Sequence, residues 1–380
     1  MNENELELKL QELDSLQSAC INCGLCLEVC STYQATGWEH ESPRGRIQLA
    51  KNLLQGEIHP SSEILQTFDR CLGCHACEKI CPTRVEYHSI RKIVQYIRCT
   101  LGSGRRNNQS KHSRLQLTYR IANRFWRAFG WKWLKIDSLK LPKPMQSFIY
   151  NRLGSKSPEA LTLIVGCFQD LFQHRLIEQT LRLLKKMHVE VSINRTQNCC
   201  GAIFERVNDS SQVLKHQRKC IEKFKNSLSQ KSTFLSAGCQ NFTLRQGCDP
   251  EKVVDLYALV IEQIKNLNMK LKLETPLTVY YQPYCAQIGE DMALKLLQQI
   301  EGLKIKTLWP SKSCCGGFCG EAFIHSEQAN FIRDSKLRLL PKNAILIVIS
   351  PDCWMQLIGM EDIRVLYPIQ LILTHKSSHK

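Results

Sequence analysis

Apolar residues recur along this chain in two different rhythms. Near the start the rhythm is helical: Leu6, Leu8, Leu10, Leu13 and Leu16 predict an amphipathic helix, Ser42-Pro43 opens a second that runs through Leu53-Leu54, and a third is expected over 89–99. From Leu161 the texture changes to short apolar strands alternating with helices. Strands are predicted at 161–165, 189–193 and 233–236, with a helix through Leu181 and Leu184 after the first. The same order then recurs, with strands at 278–281, 305–308 and 345–349 and a helix through Leu296 and Leu297. Strand-helix alternation of this kind predicts an α/β domain with parallel-type strands, so the expected class is α+β overall: a mostly helical N-terminal part followed by a duplicated α/β part.

Cysteine changes the picture most. Of 20 cysteines, eight fall in two matched runs, Cys20, Cys23, Cys26, Cys30 and Cys71, Cys74, Cys77, Cys81. Both read C-x2-C-x2-C-x3-C, the iron-sulfur run of bacterial ferredoxins. Spacings of two aim three thiolates at three corners of one cluster, and in two-cluster ferredoxins the fourth cysteine ligates the other cluster. That likeness implies two [4Fe-4S] clusters, one on Cys20, Cys23, Cys26 and Cys81 and the other on Cys71, Cys74, Cys77 and Cys30. Structural zinc also uses C-x2-C pairs, but a four-ligand site leaves the doubled third and fourth cysteines without a use. Ser31 follows Cys30 where this run usually has proline. Arg44 and Arg46 are expected either near the first cluster, where a cation raises the potential, or at a solvated helix start. His75 lies between two of the cysteines, placed either to donate to sulfur or to face solvent.

The remaining cysteines repeat. Cys167, Cys199-Cys200-Gly201 and Cys239 in the first half answer to Cys285, Cys314-Cys315-Gly316 and Cys353 in the second, at separations of 118 (167 to 285), 115 (199 to 314) and 114 (239 to 353). Near-constant separation points to an internal duplication. All these cysteines are expected at turns beyond the carboxyl ends of strands, where open parallel sheets bind ligands, and the glycine after each pair lets backbone approach whatever the sulfurs hold. They form a second candidate redox or cofactor site, with Cys319 a candidate extra ligand and Cys99, Cys220 and Cys248 as core residues.

The formal charge of +16 is concentrated: between Arg98 and Lys156 fourteen Lys and Arg stand against one acid, Asp137. Leu115, Tyr119, Ala122, Trp126 and Phe129 fall on one helical face there and Arg120, Arg124 and Arg127 on another. A basic, aromatic helix suits a membrane surface or an acidic partner subunit, and equally a helix packed on its own protein with a solvated basic face. No nucleic-acid-binding module surrounds these residues, and no nucleic-acid partner is expected. No apolar run reaches the roughly 18 residues of a membrane span. The acidic start lacks the order of a signal peptide, so the expected place is the reducing cytoplasm, with peripheral contact at the inner face of the cell membrane as an extension.

The stretch from Cys20 to His88, with its two cysteine runs, Thr32-Tyr33-Gln34, Ser42-Pro43-Arg44-Gly45-Arg46-Ile47 and the Tyr87-His88 after Cys81-Pro82-Thr83, resembles the iron-sulfur subunits of bacterial glycolate oxidases. The duplicated half resembles the cysteine-rich CCG domain that those subunits share with heterodisulfide reductase subunits, a membrane-associated subunit of anaerobic glycerol-3-phosphate dehydrogenase and a lactate-utilisation protein. The family pattern ends each motif in C-x2-C; here Phe242 and Gln356 occupy the last positions. The resemblance implies a two-[4Fe-4S] ferredoxin-type domain at 1–98, a basic aromatic connector at 99–156 and CCG halves at 157–273 and 274–380. It also implies an electron-transfer subunit of a multi-subunit glycolate (2-hydroxy acid) oxidase or dehydrogenase. Flavin-bearing partner subunits would perform the substrate chemistry, and a quinone or other carrier would take the electrons. No residue here is expected to be catalytic. A further iron-sulfur or metal site in the CCG halves stays open, as do a glycerol-3-phosphate, lactate or heterodisulfide-type complex and, in a different class, a zinc-stabilised nucleic-acid-binding module.

Overall fold

The computed structural model describes residues 3–100, 160–193, 200–202, 211–228, 231–308, 313–318, 326–360 and 362–374. The basic connector lies outside them, apart from the backbone of its first two residues. The described helices are α1 (Glu3–Ser18), α2 (Ser31–Thr36), α3 (Pro43–Leu54), α4 (Ser62–Asp69), α5 (Ala76–Ile80), α6 (Tyr87–Thr100), α7 (Cys167–Phe172), α8 (His174–Lys186), α9 (Ser211–Ser227), α10 (Ala237–Arg245), α11 (Leu256–Asn266), α12 (Met292–Gln298), α13 (Ser326–Leu337), α14 (Pro351–Leu357) and α15 (Pro368–Thr374). Two compact units result. One holds the described residues up to 100 together with 211–215 and those between 309 and 339; the other holds 160–202, 216–308 and 340–374 in their described parts.

In the first unit α1 packs on α3 and α6. Leu13 is buried there and Leu8, on the opposite side, is exposed, so only part of the leucine stripe faces inward. Leu13, Ile47, Leu65, Phe68, Ile90, Ile93 and Val94 form the core, and Cys71 sits at its edge. Local signals set the helix starts. Ser42 caps α3 by accepting from the Gly45 N–H with Pro43 at the first position, and Ser61 caps α4 by accepting from Ile64.

The second unit contains two parallel four-stranded sheets of the same order. β1 (Leu161–Ile164), β2 (Val191–Ile193), β3 (Ser232–Phe234) and β4 (Val253–Val254) run β2-β1-β3-β4; β5 (Lys272–Gln282), β6 (Glu301–Thr307), β7 (Ala344–Val348) and β8 (Ile363–Leu366) run β6-β5-β7-β8. The short apolar runs predicted three strands in each half; β4 and β8 are the additional edge strands. The halves also pack reciprocally. α11, which follows the first sheet, lies on α12, which follows β5, while α15, which follows the second sheet, lies on α8, which follows β1. Tyr367 and Gln173 exchange hydrogen bonds at 3.0 and 3.2 Å across one of these seams. Such exchange of equivalent contacts is the pattern of two copies about a pseudo-two-fold axis. The fold is thus a helical ferredoxin-like module followed by a duplicated α/β domain with parallel sheets.

Candidate metal-cluster site

Both cysteine runs adopt the same backbone turn. The residues on either side of the second cysteine are left-handed in each: Asn22 (φ 59°) and Gly24 (φ 83°) flank Cys23, and Gly73 (φ 65°) and His75 (φ 57°) flank Cys74. At Gly24 a Cβ would also lie 3.0 Å from Arg44 Nη1, so glycine serves conformation and space together. The fourth cysteines differ. Cys30 opens α2, as the sequence pattern suggests, whereas Cys81 closes α5 and the next helix starts only at Tyr87.

These turns line two cavities. The first encloses about 430 Å³ of space, partly open to solvent, and its walls carry Cys20, Cys23, Cys26 and Cys81 with Cys77 and Arg44. The second, of about 420 Å³, is walled by Cys71, Cys74, Cys77 and Cys30 with Arg46 and Glu78. The first cavity therefore receives three cysteines from the first run with Cys81 and the shared Cys77 from the second, and the second cavity receives three from the second run with Cys30 from the first. Pro43, Cys77 and Tyr87 line both and form the partition between them.

The electrostatics of these thiols depends on burial and on one another. Burial pushes the Cys26 thiol up to about 11, with the nearby Cys30 and Cys20 adding to it against a backbone N–H from Arg44. Burial likewise raises Cys30, partly offset by the Arg46 charge, and raises Cys77 strongly, with Cys74 and Cys71 opposing its ionisation further. Cys81 differs: although burial opposes it, bonds from Thr83 and from the Val85, Thr83 and Arg84 N–H groups hold its pKa below the ordinary value. Crowded thiols of this kind ionise together when a polycation sits among them, because a metal centre supplies the charge that the apolar walls lack. The Tyr87 hydroxyl adds to the fit. It is buried in the partition and has no hydrogen-bond partner among the described residues, so an acceptor such as cluster sulfur completes it. Among the described residues no group of three or more His, Cys, Asp or Glu is gathered so as to hold a metal ion.

Arg44 is on the wall of the first cavity, where it pairs with Glu39 at 2.7 Å. Arg46 lines the second instead, against the expectation that both would flank the first, because residues two apart on a helix point to different sides. Its side chain is fully buried and donates to Thr67 O (2.7 Å), Thr32 Oγ1 (3.1 Å), Glu41 O and Glu41 Oε2 (2.5 Å). Burial works against its charge, but the negative forms of Tyr87, Cys71, Cys30 and Glu41 outweigh that and raise its pKa above the usual value. Arg70 completes the buried pair from the other side of Glu41. His75 lines the second cavity rather than facing solvent: its Nδ1 bonds Glu78 Oε2 at 2.6 Å and its ring lies tilted against His88 with centroids 4.2 Å apart, while the His88 N–H donates to Glu78 Oε1. Sequence reasoning gave no role at the site to Glu78 and Tyr87, which line the walls, or to Glu41, which pairs with the wall residue Arg46. Tyr87 had a signal, its fixed place after the second run; the two carboxylates had none.

The duplicated cysteines do lie at turns following strands. Cys167 starts α7 after β1. Cys239 stands in the first turn of α10 after β3, close enough to the Gly166 backbone that a Cβ on Gly166 would meet its sulfur at 2.8 Å. Cys285 is buried after β5, and Cys353 is buried in the first turn of α14 after β7. The Cys239 and Cys353 turns abut, Ala237 N donating to Ile349 O at 3.2 Å. Cys200, Cys314 and Cys315 are buried, and the glycine after each pair is left-handed, Gly201 at φ 87° and Gly316 at φ 90°. Cys314 and Cys315 fall in the unit of the helical module, and Cys167, Cys200, Cys239, Cys285 and Cys353 in that of the sheets. Cys199 and Cys319 lie outside the described residues. Where the family pattern ends in cysteine, Phe242 packs in an apolar cluster with Ile164, Phe224 and Phe234, and Gln356 is buried. Cys248 joins that cluster and Cys220 is half-buried. No described helix is long and apolar enough to cross a membrane.

Comparison with known proteins defines the class first. Residues 17–85 match the 4Fe-4S dicluster domain, and residues 161–242 and 281–358 each match the cysteine-rich CCG domain. This is an iron-sulfur-type protein with one dicluster module and a duplicated CCG domain. The chain is related to iron-sulfur subunits of glycolate oxidase. It is 28% identical over 413 aligned positions to a probable glycolate oxidase iron-sulfur subunit of Bacillus subtilis, covering 94% of this chain and 92% of that one. It is 25% identical to the glycolate oxidase iron-sulfur subunit of Escherichia coli, over 90% and 89% of the two chains. A dihydromethanophenazine:CoB–CoM heterodisulfide reductase subunit of Methanosarcina barkeri is 23% identical, over 92% and 89%.

Proposed function

We propose that this chain is the iron-sulfur electron-transfer subunit of a flavin-dependent glycolate or related 2-hydroxy-acid dehydrogenase complex. Cys20, Cys23, Cys26 and Cys81 hold one [4Fe-4S] cluster, and Cys71, Cys74, Cys77 and Cys30 hold the other. The observation that carries this reading is the exchange of fourth cysteines between the two cavities, which a pair of independent zinc knuckles does not need. When bound, each cluster supplies one-electron redox capacity. The chain's own residues hold the sulfurs, exclude water with Pro43, Tyr87 and Ile47, and place Arg46 and Arg44 as cations on the two walls. Flavin-bearing subunits would oxidise the substrate and a quinone or other carrier would receive the electrons, at the cytoplasmic face of the membrane. These roles fall on a cluster module at 1–98, a connector at 99–156 and CCG halves at 157–273 and 274–380. The CCG cysteines are assigned as a further redox site. With Phe242 and Gln356 filling the final family positions, a heterodisulfide-type site lacks two of its usual sulfurs.

Anaerobic purification with iron and acid-labile sulfide analysis tests this. About eight irons with matching sulfide belong to the two dicluster sites, and any excess belongs to the CCG halves. Zinc without sulfide refutes the reading. Co-purification with two flavoproteins that reduce a dye with glycolate identifies the substrate class, and reduction by glycerol 3-phosphate alone reassigns it.

A further inference from the structure

The second Cys-Cys-Gly turn is fastened to one of the two cavities. Ser31, which stands where this cysteine run usually has proline and lines the second cavity next to Cys30, donates its Oγ–H to the Cys314 carbonyl at 3.0 Å. Both residues are buried. Independently, Gln328 of α13 donates to the Arg70 carbonyl at 2.7 Å, and Arg70 immediately precedes Cys71 of the same cavity. Proline at position 31 has no hydroxyl and could not make the first of these bonds. The turn is also held from behind. A Cβ on Gly316 would meet Ala329 O at 2.5 Å, and the buried Lys336 donates to Ser313 O and Oγ at 2.7 and 3.0 Å. By the 115-residue repeat, the position of Lys336 is filled in the first half by the apolar Ile221.

The first cavity has no such fastening among the described hydrogen bonds to Cys314 or Gln328. Its rim carries exposed Ile21, Cys23 and Leu25. The first cavity thus opens beside exposed apolar residues, and the second is bordered by Ser31 with its bond to Cys314.

We propose that Ser31 and Gln328 are positioning residues that make the electron path linear. The first-cavity cluster is the outer station open to a redox partner, the second-cavity cluster is the inner station, and Cys314-Cys315 lie beyond it, joined to Cys30 by one peptide and one hydrogen bond. The inference rests on the two-cluster reading above. In the step within the module, one electron leaves the outer cluster, which is oxidised by one unit, and reduces the inner cluster by one unit; no bond forms and no proton moves. The Ser31 tether keeps water from the inner cluster on the Cys314 side, and solvent access is one of the determinants of a cluster's potential.

The test is an electron paramagnetic resonance redox titration of the full chain reconstituted anaerobically, with the inner signal assigned as the one altered in Cys74→Ser and the outer as the one altered in Cys23→Ser. Ser31→Ala should shift the midpoint potential and line shape of the inner signal alone, and Ser31→Thr should restore them. Gln328→Leu should move the same signal, which keeps the idea testable if the serine variant folds poorly. Alkylation of Cys314 by iodoacetamide should be roughly fivefold faster in Ser31→Ala, as expected for loss of one net hydrogen bond. A shift confined to the outer signal, or unshifted potentials in both Ser31→Ala and Gln328→Leu, overturns the inference while leaving the two-cluster reading intact. A wild-type chain that reconstitutes without two cubane signals overturns the reading itself.

Discussion

Arg46 Nη2 lies 2.5 Å from Glu41 Oε2, and neither side chain is more than 2% exposed. Arg46 lies in the wall of the second cavity, where its buried charge acts on Cys30 and Cys71. Replacing Arg46 with Met leaves the buried Glu41 charge with the partly exposed Arg70 and, at 3.9 Å, His40, and should cost about 3–5 kcal/mol of stability. The potential of the second-cavity cluster should fall as well, since a positive neighbour is lost. Denaturant titration and a redox titration measure the two effects, and the double change Arg46→Met with Glu41→Leu should be less costly than the single one.

Tyr87 offers a contrasting case. Its hydroxyl finds no partner among the described residues, so Tyr87→Phe should change the stability of the metal-free chain by no more than about 1 kcal/mol. In the reconstituted protein the same substitution should lower at least one cluster potential, because a donor aimed at the partition between the cavities is removed. An unchanged potential would place the hydroxyl away from sulfur.

Glu78 sets an acid limit on the second cavity. Burial favours its neutral form, but the hydrogen bond and charge of His75, with the His88 N–H and charge, outweigh that and hold the carboxyl below its ordinary value of 4.5. A lowered folded-state pKa means that the stabilisation is fully present above 4.5 and is lost as pH falls through the folded value. Thermal melts should therefore steepen their decline below about pH 4, and Glu78→Gln should flatten that part of the profile while lowering stability at neutral pH.

The paired glycines of the repeat should not be equivalent. Gly201 and Gly316 share φ near +90°, at 87° and 90°, yet a Cβ on Gly201 finds its nearest neighbour at 3.6 Å while one on Gly316 meets backbone at 2.5 Å. Gly201→Ala should cost about 1 kcal/mol from conformation alone, and Gly316→Ala about 3 kcal/mol or more, because the Ala329 carbonyl must move. Urea unfolding of the two variants measures the difference.

The sequence by itself determined the features that are local. C-x2-C-x2-C-x3-C spacing can be read without a fold, because the left-handed residues around Cys23 and Cys74 bend each loop within a few positions. Caps such as Ser42 and Ser61 and the near-constant cysteine separations of the duplication are equally short-range or periodic signals. Tertiary structure decided what depends on remote partners. β4 and β8 stand outside the repeated cysteine-bearing pattern and are edge strands fixed by parallel pairing with β3 and β7. Arg46 turns to the second cavity and Arg44 to the first because helical geometry separates neighbours that look alike in sequence. Ser31 read as a blemish in the first cysteine run. Its bond to Cys314 spans 283 residues, and a contact that distant leaves no periodic trace in the chain; only the folded packing brings the hydroxyl and the carbonyl together.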